Sequence, residues 1–113
     1  MKTVTLGIAS REKINTRFLE SFNGKPQGSF ISFESPAVLF KVLSGHRWAL
    51  LKMMTGTGAM SIREAARRME RDVKAVHGDV TALLLAGILQ KTNDGRIVFP
   101  YDAIHVDFLL QAA

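Results

Sequence analysis

Residues 61–86 read SIREAARRMERDVKAVHGDVTALLLA and contain two helical patterns separated by a short polar break. The opening SIRE has the S-x-x-E spacing of a capping box, which predicts a helix over residues 61–70. Asp72 is the expected N-cap of a second helix, over 72–86, because apolar residues follow it at helical spacing, namely Val73, Val76, Val80, Leu83 and Leu84. Two helices joined by so short a break are typical of a helix-turn-helix unit.

The sequence on either side of this pair extends the prediction. Ser35-Pro36 opens one helix, and another is expected over residues 45–55, with Trp48, Leu51 and Met54 facing inward. After Gly87, residues 88–99 predict a β-hairpin around TNDG. The predicted fold class is α+β: a winged helix-turn-helix over residues 35–100, in which the hairpin forms the wing.

The two ends of the chain have no place in a minimal winged helix. Residues 1–34 predict a β-α-β extension, with a strand at 3–8 and a helix at 10–24, and residues 101–113 predict a strand or a short helix. We expect these ends to form a dimerisation layer, with strands exchanged between subunits. The reason is the number of apolar residues they carry: Val4, Leu6, Ile8, Ile14, Phe18, Phe22, Phe30, Ile104, Val106 and Phe108.

Composition narrows the class of protein. The chain has 113 residues, 47% of them hydrophobic, which suits one domain with a real core. It has no cysteine, no signal-peptide pattern and no apolar run long enough to span a membrane, so a cytoplasmic protein without disulfides is expected. The net charge is +5, and the whole excess lies within residues 41–96, which favours a polyanionic partner.

No pattern indicates an enzyme or a cofactor. The stretch GTGAMS lacks the lysine and the spacing of a phosphate-binding loop, and no nucleophile–histidine arrangement stands out. The only metal-like group is Asp102, His105 and Asp107, and on a strand Asp102 would point away from the other two. We therefore expect no catalytic site, no metal and no cofactor.

Gly78 lies in the interior of the second helix, where glycine is disfavoured by about 0.5–1 kcal/mol relative to alanine. It belongs to a surface opposite the apolar stripe, here called the open face, which comprises Lys74, Ala75, His77, Gly78 and Thr81. Small residues there would let the helix backbone approach base edges in a DNA major groove about 12 Å wide. Alternatively, Gly78 permits close packing against another helix of the chain, or it is a tolerated weak position.

Further DNA contacts are expected around this helix. Phosphate contacts are predicted for Arg63, Arg67 and Arg71, with Arg68 partly neutralised by Glu64. Asp79 is expected to pair with Arg71 or Arg68. The remaining predicted contacts are the first-helix N-terminus at Ser61 and three residues of the hairpin, Lys91, Asn93 and Arg96.

The stretch from Ser61 to Lys91, followed by DGRIVFPYDAIHVDF, resembles the MarR-like winged-helix DNA-binding proteins of bacteria and archaea. The resemblance extends from about Phe33 to Phe108, and RDVKAVHGDV and FPYDAIHVDF are its most specific parts. It implies a transcriptional regulator that binds a palindromic operator as a homodimer and represses its own gene. Some members are antitoxins encoded beside small TumE-type toxins, which implies a possible toxin partner.

One alternative comes from a different class of function. Winged helices also serve as protein–protein interaction modules without DNA binding, and such modules often lack a basic face. The open face carries Lys74 and His77, but Asp79 lies beside it. The sequence therefore leaves both functions open.

Overall fold

The computed structural model describes residues 2–8 and 29–108 of the chain. These residues form β1 (Thr3–Ile8), β2 (Ser29–Phe33), α1 (Pro36–Val42), α2 (Gly45–Met54), α3 (Ile62–Met69), α4 (Val73–Leu85), β3 (Gln90–Lys91), β4 (Ile97–Val98) and β5 (Ala103–Asp107). The fold class is α+β, as predicted. The helix predicted over residues 10–24 lies outside the described residues. None of the helices described has the length and apolarity needed to cross a bilayer.

The two ends of the described chain meet in one parallel sheet of order β2-β1-β5. Leu6 of β1 lies opposite Ile31 of β2 and Val106 of β5, so these three side chains point to the same side of the sheet. That side faces the helices, and Leu6 is fully buried there. Residues 103–107 are therefore a strand, which decides between the two predicted possibilities.

This sheet bears on the prediction that the two chain ends form a dimerisation layer with exchanged strands. β1 and β5 pair within a single chain, and Val4, Leu6 and Phe33 share one core with helix residues such as Leu50 and Leu83. Much of the apolar surface assigned to a dimerisation layer is thus covered by the chain itself, and no exchange of strands is needed to bury it. Of the other residues in that prediction, Ile14, Phe18 and Phe22 lie outside the described residues.

The caps at the starts of the helices follow the sequence closely. The Ser35 hydroxyl accepts a hydrogen bond from the amide of Val38, and the Ser61 hydroxyl accepts one from the amide of Glu64 at 3.0 Å. The Asp72 carboxylate accepts from the amides of Lys74 and Ala75, which fixes the start of α4 where it was predicted. A capping box also predicts that the Glu64 carboxylate accepts a hydrogen bond from the Ser61 amide. This part of the prediction is wrong, because the carboxylate binds the side chains of Arg67 and Arg68 instead.

The turn between α3 and α4 depends on a left-handed residue. Glu70 has φ 54° and ψ 44° and ends α3 with its amide hydrogen-bonded to the carbonyls of Ala66 and Arg67. This conformation is disfavoured for residues with a side chain, and glycine or asparagine is the usual choice. It reverses the chain sharply enough for α4 to begin at Val73, soon after α3 ends at Met69.

The predicted hairpin forms, with shorter strands than expected. Gln90 pairs with Val98 and Lys91 with Ile97, and Gly95, at φ 83°, supplies the left-handed residue of the turn. Met60, just before α3, exchanges two backbone hydrogen bonds with Ile97 at 2.9 and 2.8 Å. The hairpin is thereby attached to the start of α3 as well as to the end of α4.

Two predicted core residues are wrong. Trp48 is 44% exposed, and so is Val73. Position 48 is off the inward stripe of α2, whose buried members are Leu50, Leu51 and Met54. Val73 is the first residue of α4, and the buried residues of that helix begin one turn later, at Val76.

Candidate nucleic-acid interface

The open face of α4 is exposed along its length. Lys74, Ala75, His77, Gly78 and Thr81 are all exposed, whereas Val76, Val80 and Leu83 on the opposite side are buried against the other helices and the hairpin. The helix thus has one packed side and one side without large apolar side chains over its first two and a half turns, as the spacing of its residues predicted.

Gly78 lies at the centre of this open face. A Cβ atom placed on Gly78 would meet no atom of the described chain within 4 Å. Close packing of Gly78 against another helix of the chain is therefore wrong for the described residues. What remains is either close approach to something outside the chain or a tolerated weak position.

Beside the open face, Asp79 holds two arginines from other parts of the fold. One carboxylate oxygen accepts from Nε of Arg47 at 3.1 Å, and the other accepts from a terminal nitrogen of Arg71 at 2.8 Å. The side chains of Asp79, Arg47 and Arg71 are only 16%, 26% and 24% exposed. We call these three residues the carboxylate clamp.

The clamp extends to a fourth element through Arg47. Its terminal nitrogen donates to the carbonyl of Lys41 at 3.2 Å and lies 3.5 Å from that of Val42, both at the C-terminal end of α1. A cation there compensates carbonyl groups that have no partner within the helix. The clamp therefore connects α1, α2, the α3–α4 turn and α4.

Two opposing effects act on the pKa of Asp79. Partial burial raises the pKa of its carboxyl group, but the hydrogen bonds from Arg71 and Arg47 more than compensate and hold the pKa below its ordinary value of 3.8. Asp79 is therefore ionised at neutral pH, and the clamp carries a net charge of +1.

The arginines of α3 are less free than the sequence suggested. Glu64 accepts hydrogen bonds from Arg67 and also from Arg68, whose Nε is 2.9 Å away. These hydrogen bonds, that from Arg67 first, lower the pKa of Glu64. Arg67, predicted as a better phosphate contact than Arg68, is thus held by the same carboxylate. Arg63 is exposed and forms no ion pair within residues 2–8 and 29–108.

In the hairpin, too, one of the predicted phosphate contacts is paired with a carboxylate within the described chain and another is not. Arg96 donates to Asp94 at 2.8 Å, and hydrogen bonds from the Thr92 hydroxyl and from Arg96 lower the pKa of Asp94. Lys91 and Asn93 are on the surface, and Lys91 has no ion pair in the described part of the chain. Among the predicted phosphate contacts, Arg67, Arg68, Arg71 and Arg96 are therefore paired, whereas Arg63, Lys74 and Lys91 have no ion-pair partner in the part of the chain that the structure describes.

Sequence reasoning missed Arg47 as a member of this site. Its position carried a signal, because residues 47, 50, 51 and 54 have the spacing of one helical face. An arginine on an otherwise apolar, inward stripe requires an acidic partner, and Asp79 borders the buried stripe of α4 in the same way. The predicted pairing of Asp79 with Arg71 is confirmed, and the pairing with Arg68 is not.

The metal-like group of the sequence analysis consists of Asp102, His105 and Asp107. Asp102 accepts a hydrogen bond from the backbone amide of Lys2 at 2.8 Å, which joins the two ends of the described chain. No three His, Cys, Asp or Glu side chains among the described residues are close enough together to hold a metal ion.

The clamp predicts how stability depends on pH. Because the pKa of Asp79 is lower in the folded protein, its stabilising contribution is present above the ordinary pKa and is lost as the pH falls through the lowered value. Asp79→Asn should reduce the free energy of unfolding by about 1–3 kcal/mol at pH 7, and this difference should shrink below the ordinary pKa of 3.8. Urea unfolding of both proteins at neutral pH, and again below that pKa, measures the difference in their free energies of unfolding. Asp94→Asn, in an exposed pair, serves as the control, and an equal loss in both variants would contradict the prediction.

Three comparisons with known proteins gave one match. No curated protein and no solved structure matches the chain significantly. A protein-family model, that of HVO_A0114, matches residues 42–106, more than half of the chain. The matched region runs from the end of α1 through the clamp, the open face and the hairpin to β5, and so includes every element of the candidate interface. The chain belongs to the HVO_A0114 family.

Proposed function

We propose that this protein is a transcriptional regulator that binds double-stranded DNA sequence-specifically, with α4 in the major groove. The observation that carries the proposal is the open face of α4, an exposed helical surface with a cation at its start and no side chain at its centre. Both properties suit a helix that reads base edges, because a cation can bind guanine or phosphate and close approach brings short side chains within hydrogen-bonding range of the bases.

The order and attachment of the surrounding elements support a winged-helix arrangement. α3 and α4, joined by a short turn, correspond to the two helices of a helix-turn-helix, and the β3–β4 hairpin follows directly as the wing. The Met60–Ile97 backbone pair attaches this wing to the start of α3. In this arrangement α3 crosses the DNA backbone, and the wing reaches the phosphates or the minor groove.

The chemistry of the open face suggests individual roles. Lys74, at the start of α4, can bind guanine or phosphate, and His77 can donate or accept a hydrogen bond. The Thr81 hydroxyl donates to the carbonyl of His77 at 2.8 Å, so its oxygen is left as an acceptor for a base amino group. The methyl groups of Ala75 and Thr81 are suited to thymine methyls.

The phosphate contacts are assigned to the cations that have no carboxylate partner among residues 2–8 and 29–108. Arg63, Lys74 and Lys91 lie on the three elements that contact DNA in this arrangement. Ser61 is the N-cap of α3, and the backbone amides at the start of this helix can bind a phosphate of the DNA. Arg67, Arg68 and Arg96 are already hydrogen-bonded to Glu64 or Asp94, so we assign them a smaller share of the phosphate contacts.

A repressor that reads two half-sites acts as a homodimer, and the family resemblance implies that it represses its own gene. Light scattering at micromolar concentration should give twice the mass of one chain, and a monomeric mass would contradict this part of the proposal. The antitoxin role is a narrower proposal, and a small toxin gene beside this one would support it.

One observation favours the alternative of a protein-binding module. Leu85 is 85% exposed and lies near the end of α4, on the line of residues that includes Lys74, Gly78 and Thr81. An exposed leucine is more typical of a protein contact than of a DNA contact. The salt dependence of DNA binding separates the two functions, because salt-independent binding, or none, favours the alternative.

The salt dependence of binding tests the phosphate contacts. Fluorescence anisotropy with a duplex from directly upstream of the gene should give a log–log plot of affinity against salt with a steep negative slope. Arg63→Ala should make this slope shallower by about 1, because one phosphate contact is lost. Lys52→Ala, on the exposed side of α2, should leave the slope unchanged. Equal slopes for Arg63→Ala and the unmodified protein would remove Arg63 from the interface.

Substitution of Gly78 tests the close approach. Gly78→Leu should preserve the fold, because nothing in the described chain meets a side chain there, yet it should abolish binding to the duplex through its bulk. Gly78→Ala should raise helix stability by about 0.5–1 kcal/mol and keep most of the binding. Ala49→Leu, which adds bulk at an exposed position of α2, controls for bulk alone. Undiminished binding by Gly78→Leu would show that α4 does not enter the groove.

A further inference from the structure

We propose that Asp79 is a specificity-determining positioning residue, which acts through the carboxylate clamp to fix the orientation of α4 and of the Arg71 guanidinium against the DNA. This inference rests on the proposed function. It assigns to Asp79 a role that does not require contact with a base, and it assigns to Arg71 a phosphate contact made while the arginine is held by its own protein.

The first step is that the apolar side of α4 does not by itself fix the rotation of the helix. Val76, Val80 and Leu83 supply burial, which is favourable but non-directional. From α3, Ala65 and Ala66 are buried, and Ile62 and Met69 pack partly buried against the same core, so these contacts are apolar and non-directional as well. A directional constraint must come from elsewhere.

The second step is that the clamp supplies this constraint. Charge-assisted hydrogen bonds are shorter, stronger and more directional than neutral ones. Asp79 receives one on each carboxylate oxygen, from α2 and from the α3–α4 turn, while Arg47 is held in turn by the carbonyls of α1. Rotation of α4 would move the Asp79 carboxylate relative to these two donors, which belong to other elements. Because Asp79 adjoins Gly78, the position that it fixes is that of the centre of the open face.

The third step concerns the donors of Arg71 that remain. Its guanidinium has five N–H groups in a planar fork, and one terminal nitrogen binds Asp79. Arg71 directly precedes Asp72, the N-cap of α4, and its side chain is partly exposed. The other N–H groups can therefore bind a phosphate at the start of α4 while Asp79 holds the arginine in place, at a lower entropic cost than for a free side chain.

The fourth step is the cost of this arrangement. A carboxylate beside a DNA-binding face repels phosphates and lowers affinity for every sequence. At the correct sequence the gain from a fixed helix opposes this repulsion, whereas at an incorrect sequence only the repulsion acts. Removal of the charge should therefore affect correct and incorrect sequences in opposite directions.

The test compares affinities for two duplexes at one salt concentration, the duplex from directly upstream of the gene and a scrambled duplex of the same composition. Asp79→Asn should weaken binding to the first and leave unchanged or strengthen binding to the second. The ratio of the two affinities should fall by about tenfold, as for one lost base contact. Asp94→Asn removes an equal charge from the exposed hairpin pair, and it should change both affinities alike and leave the ratio unchanged.

A second variant keeps the charge of the protein constant. Arg47→Lys preserves the cation but replaces the planar fork with a single ammonium group, which cannot bind Asp79 and the α1 carbonyls in the same geometry. It should also lower the ratio, with little change in affinity for the scrambled duplex. Circular dichroism establishes that each variant is folded, and Arg47→Lys alone decides the test if Asp79→Asn does not fold.

Four results would overturn the inference. If both variants reduce the two affinities equally, the clamp has only a structural role. If Asp79→Asn raises both equally, the carboxylate only repels DNA. If the unmodified protein prefers its upstream duplex and neither variant alters that preference, only this inference fails. If the unmodified protein binds neither duplex, the proposed function fails with it.

Discussion

The fold depends on α4 being packed along one side only. Val76, Val80 and Leu83 hold it against the core. Its other side, which the described chain leaves uncovered, carries small or polar residues up to Thr81 and the exposed Leu85 near its end. Asp79 lies at the boundary between the two sides. A carboxylate at such a boundary is too buried to be satisfied by water alone and too exposed to be neutral, so it requires cationic partners. Arg47 and Arg71 meet this requirement, and in doing so they bring four elements of the fold together.

Energetically, the clamp is more than an ordinary surface ion pair. Exposed pairs such as Arg96–Asp94 contribute little to stability, because water and salt screen them. The clamp is largely sheltered from solvent, and each oxygen of Asp79 is used. Loss of one partner would leave a poorly solvated charge, which costs more than the intact arrangement gains. Such a network therefore favours one arrangement of the helices over its alternatives more than it raises overall stability.

The sequence predicted the local structure well, because local structure follows from signals a few residues apart. The caps at Ser35, Ser61 and Asp72, the turn at Gly95 and the exposed face of α4 are all of this kind. Partners far apart in the chain were not predictable in the same way. Alternating apolar residues in β1 and β5 show which side of each strand is buried, but not that the two strands pair with each other. Trp48 was placed inward by its hydrophobicity, although the spacing of Leu50, Leu51 and Met54 points to Arg47 instead.

The pairing of the arginines also means that formal charge overstates the charge available to a polyanion. The basic middle of the chain suggested an array of phosphate contacts, but carboxylates already hold Arg47, Arg67, Arg68, Arg71 and Arg96, and most of these partners are close in sequence. Exchange of a carboxylate for a phosphate gains little, because one charge-assisted hydrogen bond replaces another. Among the described residues around α4, the groups left for a polyanion are Arg63, Lys74 and Lys91, together with the remaining N–H groups of Arg71. In the DNA complex proposed above, discrimination between sequences depends on how well the open face fits the bases, and that fit requires α4 to be held in one orientation.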